Sequence, residues 1–284
     1  MIGSQDLRNP GLRLIPAALL ILVLALGACT NDQPQGDNGE VGDQAAAIKE
    51  YCGNVLTIET APQPEIDFGI LTPEQQAEEF KKYATSTLRP IADKLTGSAP
   101  EEIKDEAQVF SGALAEVETS GNFEGAYNKP DVVDAFNTLH AYDLKNCGWK
   151  QVDVVATNYL FTGVPATLTA GATSFEFDNK GTEQHEMVIF RKADGETLTF
   201  DQILAIKDEA EVDKHMKLVT ATEAAPGQDD RYAVADVKAG DYIMVCFVPV
   251  GSTPEAAKAA REAGKEIEGA PHFTQGMKAE FKVS

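Results

Sequence analysis

Near Trp149 the hydrophobic repeat of this chain changes from three-to-four residues to two, so one uniform architecture cannot accommodate both halves. Before the switch, "DQAAAIKEYCGNVL", "TPEQQAEEFKKYATSTLRPIADKL", "APEEIKDEAQVFSGALAEVETSG" and "KPDVVDAFNTLHAYDLKNCG" place apolar residues at helical spacing. Examples are Val109, Phe110, Leu114 and Val117, then Val132, Val133, Phe136, Leu139 and Tyr142. Thr72 before Pro73 reads as a cap followed by a first-turn proline, and Gly121 and Gly148 read as stops. These signals predict an antiparallel helical bundle over residues 44–150. After the switch, "VDVVATNYLFTG", "ATLTAGATSFEFDNKG", "EMVIFR", "RYAVADVKAGDYIMVCFVP" and "MKAEFKVS" alternate or run apolar between turn residues. They predict a β-sandwich over 151–284, interrupted by one helical stretch, "TFDQILAIKDEAEVDKHMKL". The fold class is therefore α+β and multidomain, and the 284 residues suffice for two domains.

The first 28 residues carry processing information. Arg8 and Arg13 precede "LIPAALLILVLALGAC", which is too short and too abruptly ended for a comfortable membrane span. Leu26-Gly27-Ala28-Cys29 resembles the lipobox of bacterial lipoproteins, a resemblance that implies acylation of Cys29 and removal of residues 1–28. Residues 29–43 are polar and lack apolar periodicity, so they read as a flexible tether. The expected location is extracytoplasmic, with lipid on Cys29 holding the protein to the membrane.

Export changes what the four cysteines imply, because disulfides persist outside the cytoplasm. With Cys29 lipidated, Cys52, Cys147 and Cys246 remain, and three thiols cannot all pair. Cys52 lies in the first helix and Cys147 ends the last, so a bridge between them would close the helical domain on itself. Cys246 is then a free thiol. The charge of -21, from 45 acidic and 24 basic side chains, weighs against nucleic acid as a partner.

What Cys246 does depends on the histidines. His185 opens the apolar strand "HEMVIF", Cys246 closes "GDYIMVCFVP", and His272 and Met277 bracket the turn into the last strand. A sandwich can gather such strand ends at one pole. Two imidazoles, a thiolate and a weak axial thioether are the donors of a blue-copper site. His140 sits in a helical pattern and reads as structural, and the neighbours of His215 suit a solvated helix face.

The C-terminal half resembles the cupredoxins, the family of plastocyanin and pseudoazurin. "AGATSFEFDNKGTEQHEMVIF" is similar to that family's first ligand-histidine segment, "AGDYIMVCFVP" to its ligand-cysteine strand, and "PHFTQGMKAEFKV" to its closing histidine–methionine loop. The resemblance implies a Greek-key sandwich with one type 1 copper held by His185, Cys246, His272 and Met277. It also places His272 on the loop nearest solvent, as the route for an electron. Two features depart from the family. Twenty-five residues, "FVPVGSTPEAAKAAREAGKEIEGAP", separate Cys246 from His272, and Glu186 stands where asparagine commonly braces the cysteine loop. A carboxylate there disfavours the thiolate unless metal is bound or the side chain turns outward.

The expected function is single-electron transfer or copper handling in the cell envelope, with a redox or other envelope protein as partner. No phosphate loop, nucleophile elbow or His-Glu-x-x-His helix is present, so no enzyme is expected. A metal-free cupredoxin-like scaffold that binds another envelope protein is the alternative reading.

Overall fold

The computed structural model describes residues 40–284 except 63, 65, 67–70, 230, 264 and 266, with the side chains of 40–44, 209 and 261 also left undescribed. The leader 1–28, Cys29 and residues 30–39 of the tether lie outside the described residues. Among those described, no helix is long and apolar enough to cross a membrane.

Among the described residues six α-helices come first: α1 (Glu40–Glu59), α2 (Pro73–Tyr83), α3 (Arg89–Ser98), α4 (Lys104–Ser120), α5 (Phe123–Tyr127) and α6 (Pro130–Asn146). α1 begins inside the segment read as tether. Thr72 caps α2 through a capping box with Gln75, so both orphaned backbone groups there find partners. α2 and α3 form one rod joined by a π-helical turn, Ala84–Leu88, immediately before Pro90. Pro90 has no N–H and its ring crowds the carbonyl four residues back, so the ladder bulges there. Gly121 ends α4 with a φ of 70°, the left-handed conformation a glycine takes at little cost. Tyr51, Leu114, Val117, Phe123 and Phe136 belong to one buried core shared by these helices. The five-residue α5, between two glycine-bounded patterns, was not among the helices expected.

Cys52 and Cys147 are joined by a disulfide that spans 95 residues, with Cα atoms 5.4 Å apart. It ties the first helix to the end of the last.

Nine strands follow among the described residues: β1 (Lys150–Thr157), β2 (Leu160–Thr162), β3 (Thr167–Leu168), β4 (Gly171–Asn179), β5 (His185–Lys192), β6 (Met216–Ala224), β7 (Arg231–Val237), β8 (Gly240–Val245) and β9 (Lys278–Val283). They form a four-stranded sheet, β2-β1-β4-β7, facing a five-stranded sheet, β3-β9-β8-β5-β6. Between them Phe175, Phe177, Met187, Ile189, Met244 and Phe281 make the sandwich core. Each fully buried phenylalanine of this set contributes about 1.5–3 kcal/mol through removal of apolar surface from water.

The stretch expected as one helix is instead α7 (Phe200–Leu204), α8 (Glu209–His215) and the start of β6. Asp208 caps α8 by accepting from the Ala210 N–H, which restarts the helix after a break. β6 has no clean alternation of apolar and polar residues, and only Met216, Thr222 and Ala224 are buried, so the linear pattern does not mark it as a strand. α7 and α8 cover the outer face of the five-stranded sheet, where Phe200, Ile203, Val212 and Met216 meet Ile243 and Val245. β8 is thus buried on both faces and reads as a continuous apolar run.

The helical half covers the other sheet. His140 stacks on Tyr232 with ring centroids 3.4 Å apart, and its Nε2 lies 3.1 Å from Glu176, which also accepts from Ser174. His140 is a structural histidine that joins α6 to β4 and β7.

A candidate metal centre

Strand alternation places the candidate ligands before any loop is considered. Along β8, Tyr242 and Met244 point into the sandwich, and so does Cys246 just beyond it. β5 pairs with β8 in the register Val188↔Val245, and β9 pairs with β8 in the register Val245↔Lys278. Continuing both by one residue sets Met187 and Met277 beside Cys246, and the Cys246 N–H donates to the Met277 carbonyl. His185, two residues before Met187, therefore faces inward at the same pole.

The ring atoms converge. His185 Nδ1 lies 3.1 Å from His272 Nδ1, and Cys246 Sγ lies 3.3 Å from His272 Nδ1 and 4.0 Å from His185 Nδ1. His185, Cys246 and His272 form the described cluster of three donors able to hold a metal ion, all within 4.8 Å of one another. Met277 is fully buried and its N–H donates to the His272 carbonyl, so it shares the pocket floor with the ligand loop. A cluster of two imidazoles and a thiol with their lone pairs turned on one point, away from water, fits a soft transition-metal ion and fits one copper in the type 1 manner.

The long insert is resolved by its base. Pro249 and Pro271 form an antiparallel bridge, the His272 N–H donates to the Val248 carbonyl, and the Val250 N–H donates to the Ala270 carbonyl. The chain leaves the site and returns to it at one point, with α9 (Pro254–Ala263) carried on the excursion. Loop-closure cost grows only logarithmically with length, so the ligand spacing survives.

Glu186 lies on the opposite face of β5 from His185, yet it is covered and does not turn out to solvent. It is 7% exposed, and its Oε1 accepts from the Phe247 N–H at 2.7 Å, bracing the residue after the cysteine. Burial pushes its carboxyl up to about 7 against the pull of that hydrogen bond. The Glu186 N–H in turn points at Cys246 Sγ, 3.4 Å away. Burial, then the Glu186 charge, pushes the Cys246 thiol up to about 12. Burial, then His272, lowers His185 to about 4, and burial also lowers His272, so both rings are neutral ligands near neutral pH.

His272 is not the residue nearest solvent. It is wholly buried, with the Tyr159 ring edge-on above it at 5.0 Å and its Nε2 3.0 Å from Glu183 Oε2. Tyr159 adopts a φ of 64°, uncommon for a residue with a side chain, and so reaches back over the site from the β1–β2 turn. Gly181 passes close above His185: a Cβ there would lie 2.6 Å from His185 Nε2. Glu183, Tyr159 and Gly181 had no signal in the linear pattern. Their roles arise from loops meeting over the pole. His215 lies elsewhere, between Glu196 and Glu211, and half-buried instead of on an open helix face.

No protein-family model and no curated protein matches the chain. Solved structures similar to part of the chain include a dithionite-reduced auracyanin from the photosynthetic bacterium Roseiflexus castenholzii, 16% identical, covering 48% of this chain and 97% of that one at a TM-score of 0.29. Auracyanin A, a "blue" copper protein from Chloroflexus aurantiacus, is 15% identical over 48% of this chain and 100% of its own, with a TM-score of 0.29. Rusticyanin from Thiobacillus ferrooxidans is 19% identical over 48% and 78%, with a TM-score of 0.24. At such scores the likeness adds nothing to the strand order and donor set described above.

Proposed function

We propose that this chain is a lipid-anchored, extracytoplasmic carrier of single electrons whose cupredoxin-like domain holds one type 1 copper through His185, Cys246, His272 and, axially, Met277. Copper bound there would supply one-electron chemistry between Cu(II) and Cu(I). The observation that carries the reading is the inward convergence of two Nδ1 atoms and one Sγ within 4.8 Å. The protein's part is to hold those donors still: three come from, or abut, adjacent strands, and the fourth hangs from the bridge at the insert's base. A rigid, water-free donor set keeps the rearrangement between oxidation states small. Because His272 is buried under the partly exposed Tyr159 ring, that ring is the proposed route between site and solvent. Copper handling within the envelope uses the same site and belongs to the same proposal.

Addition of Cu(II) to the purified protein is expected to produce an intense visible thiolate-to-copper band, absent from Cys246→Ser. A colourless protein whose Cys246 thiol still titrates freely in the presence of copper would overturn the proposal and favour the metal-free scaffold. Anchoring is tested separately: Cys29→Ser should abolish incorporation of labelled fatty acid and release the protein from the membrane fraction. Retained label in that variant would remove the lipid from the proposal.

A further inference from the structure

The carboxylate of Glu183 occupies a position that the donor set alone does not explain. Its Oε2 accepts from His272 Nε2 at 3.0 Å, from the Gly251 N–H at 2.5 Å and from the Ser252 N–H at 3.0 Å. Its Oε1 accepts from the Tyr159 hydroxyl at 2.9 Å. Four donors from three separate segments saturate one ionised carboxylate, which has about four acceptor sites and nothing to donate. The residue is 8% exposed, and its own backbone carbonyl accepts from the buried Asn179 amide, so the backbone that carries it is also tied down.

An acceptor-only group facing His272 Nε2 requires the proton there, which leaves the Nδ1 lone pair free and aimed at Cys246 and His185. His185 has no such arrangement, because its buried Nε2 has no hydrogen-bond partner. The two rings are therefore unequal as ligands. Outer partners of ligand histidines fix the tautomer and raise the basicity of the ring.

Resting on the copper reading above, we propose that Glu183 is the positioning residue of the centre. It holds His272 as an Nδ1 ligand with added negative character, fastens the Gly251–Ser252 base of the insert beside it, and so favours Cu(II) over Cu(I). Charge on the ring stabilises the more highly charged ion more, so loss of that charge shifts the balance toward Cu(I) and raises the reduction potential.

Two measurements on the full chain test this. In the metal-free protein, nitrogen NMR of the histidine rings is expected to show His272 with its proton on Nε2; a proton on Nδ1 overturns the proposal without any variant having to fold. In the copper-loaded protein, Glu183→Gln should weaken Cu(II) binding by about 10–100-fold, the usual cost of losing such a partner, with a smaller loss for Cu(I) and a raised potential. Glu183→Asp, which keeps the charge, should fall between that variant and the parent. Equal losses for both oxidation states at an unchanged potential, or no loss at all, would reduce Glu183 to a structural clip and overturn the proposal. Absence of the visible band from the parent protein overturns the copper reading instead, and leaves the tautomer measurement to decide the role of Glu183.

Discussion

At the residue scale the site is poised by burial. With Cys246 pushed up to about 12 and His185 down to about 4, the metal-free pocket at neutral pH holds a thiol and two uncharged rings. Metal binding must then expel the thiol proton. Near pH 8, above the Glu186 value of about 7, copper uptake should release about one proton per ion, and the association constant should rise about tenfold per pH unit. Calorimetry in buffers of different ionisation enthalpy would read this directly; binding without proton release would show that Cys246 is already a thiolate. Gly181 supplies a steric counterpart. Alanine there would place its methyl 2.6 Å from His185 Nε2 and 2.8 Å from Asn158 Oδ1, so the ring or the turn must move. Gly181→Ala should weaken copper binding and alter the intensity of the visible band with little change in the helical circular dichroism. An unchanged band would mean that the turn gives way freely.

Among the elements, α1 and α6 are tied by more than the disulfide. The Tyr51 ring of α1 meets the Tyr142 ring of α6 edge-on at 5.7 Å, and Asp143 in α6 is 4% exposed, so burial pushes its carboxyl up to about 8. Between the ordinary carboxylate value and about 8 the folded protein binds more protons here than the unfolded chain, so this group's contribution falls as pH rises. It is fully present below the unfolded value and lost above about 8. Asp143→Asn should therefore flatten the decline in unfolding free energy between pH 5 and pH 8, roughly the window those two values bracket. A slope identical to the parent's would place the proton elsewhere. For the disulfide, which spans 95 residues, Cys52→Ala/Cys147→Ala should lose about 2–4 kcal/mol, the usual measured range for such a bridge, read by denaturant titration. The copper band should survive, because neither cysteine touches the site.

For the whole molecule, the layers run from the helical half through the four-stranded sheet and the five-stranded sheet to α7 and α8. The join between helices and sandwich includes His140 against Tyr232 and Glu176, with α1 also packed on β7. His140→Ala leaves Glu176 without that partner and removes the stacked ring, and should cost about 1–3 kcal/mol of global stability while copper affinity holds. A matching loss of copper affinity would mean that the helical half shapes the centre.

Much of this architecture was legible in the linear pattern because periodicity is a local property. The switch from helical to alternating spacing follows from which residues neighbour which, and so do the capped start at Thr72 and the proline start at Pro130. Alternation also sends Cys246 and Met277 into the core. β6 was obscured because its buried positions are few, and the single helix read before it ignored the restart at Asp208. That Glu186 is buried was equally beyond periodicity, since the pleat sets a face but not whether that face is covered. Here α7, α8 and Phe247 cover it. What the sequence by itself determined is the order of elements and the kinds of donor available. That Pro249 meets Pro271, that Tyr159 and Glu183 close over His272, and that two Nδ1 atoms face one sulfur were decided only by tertiary structure. These contacts join segments up to 89 residues apart, and packing of the two sheets brings them together where no local preference could.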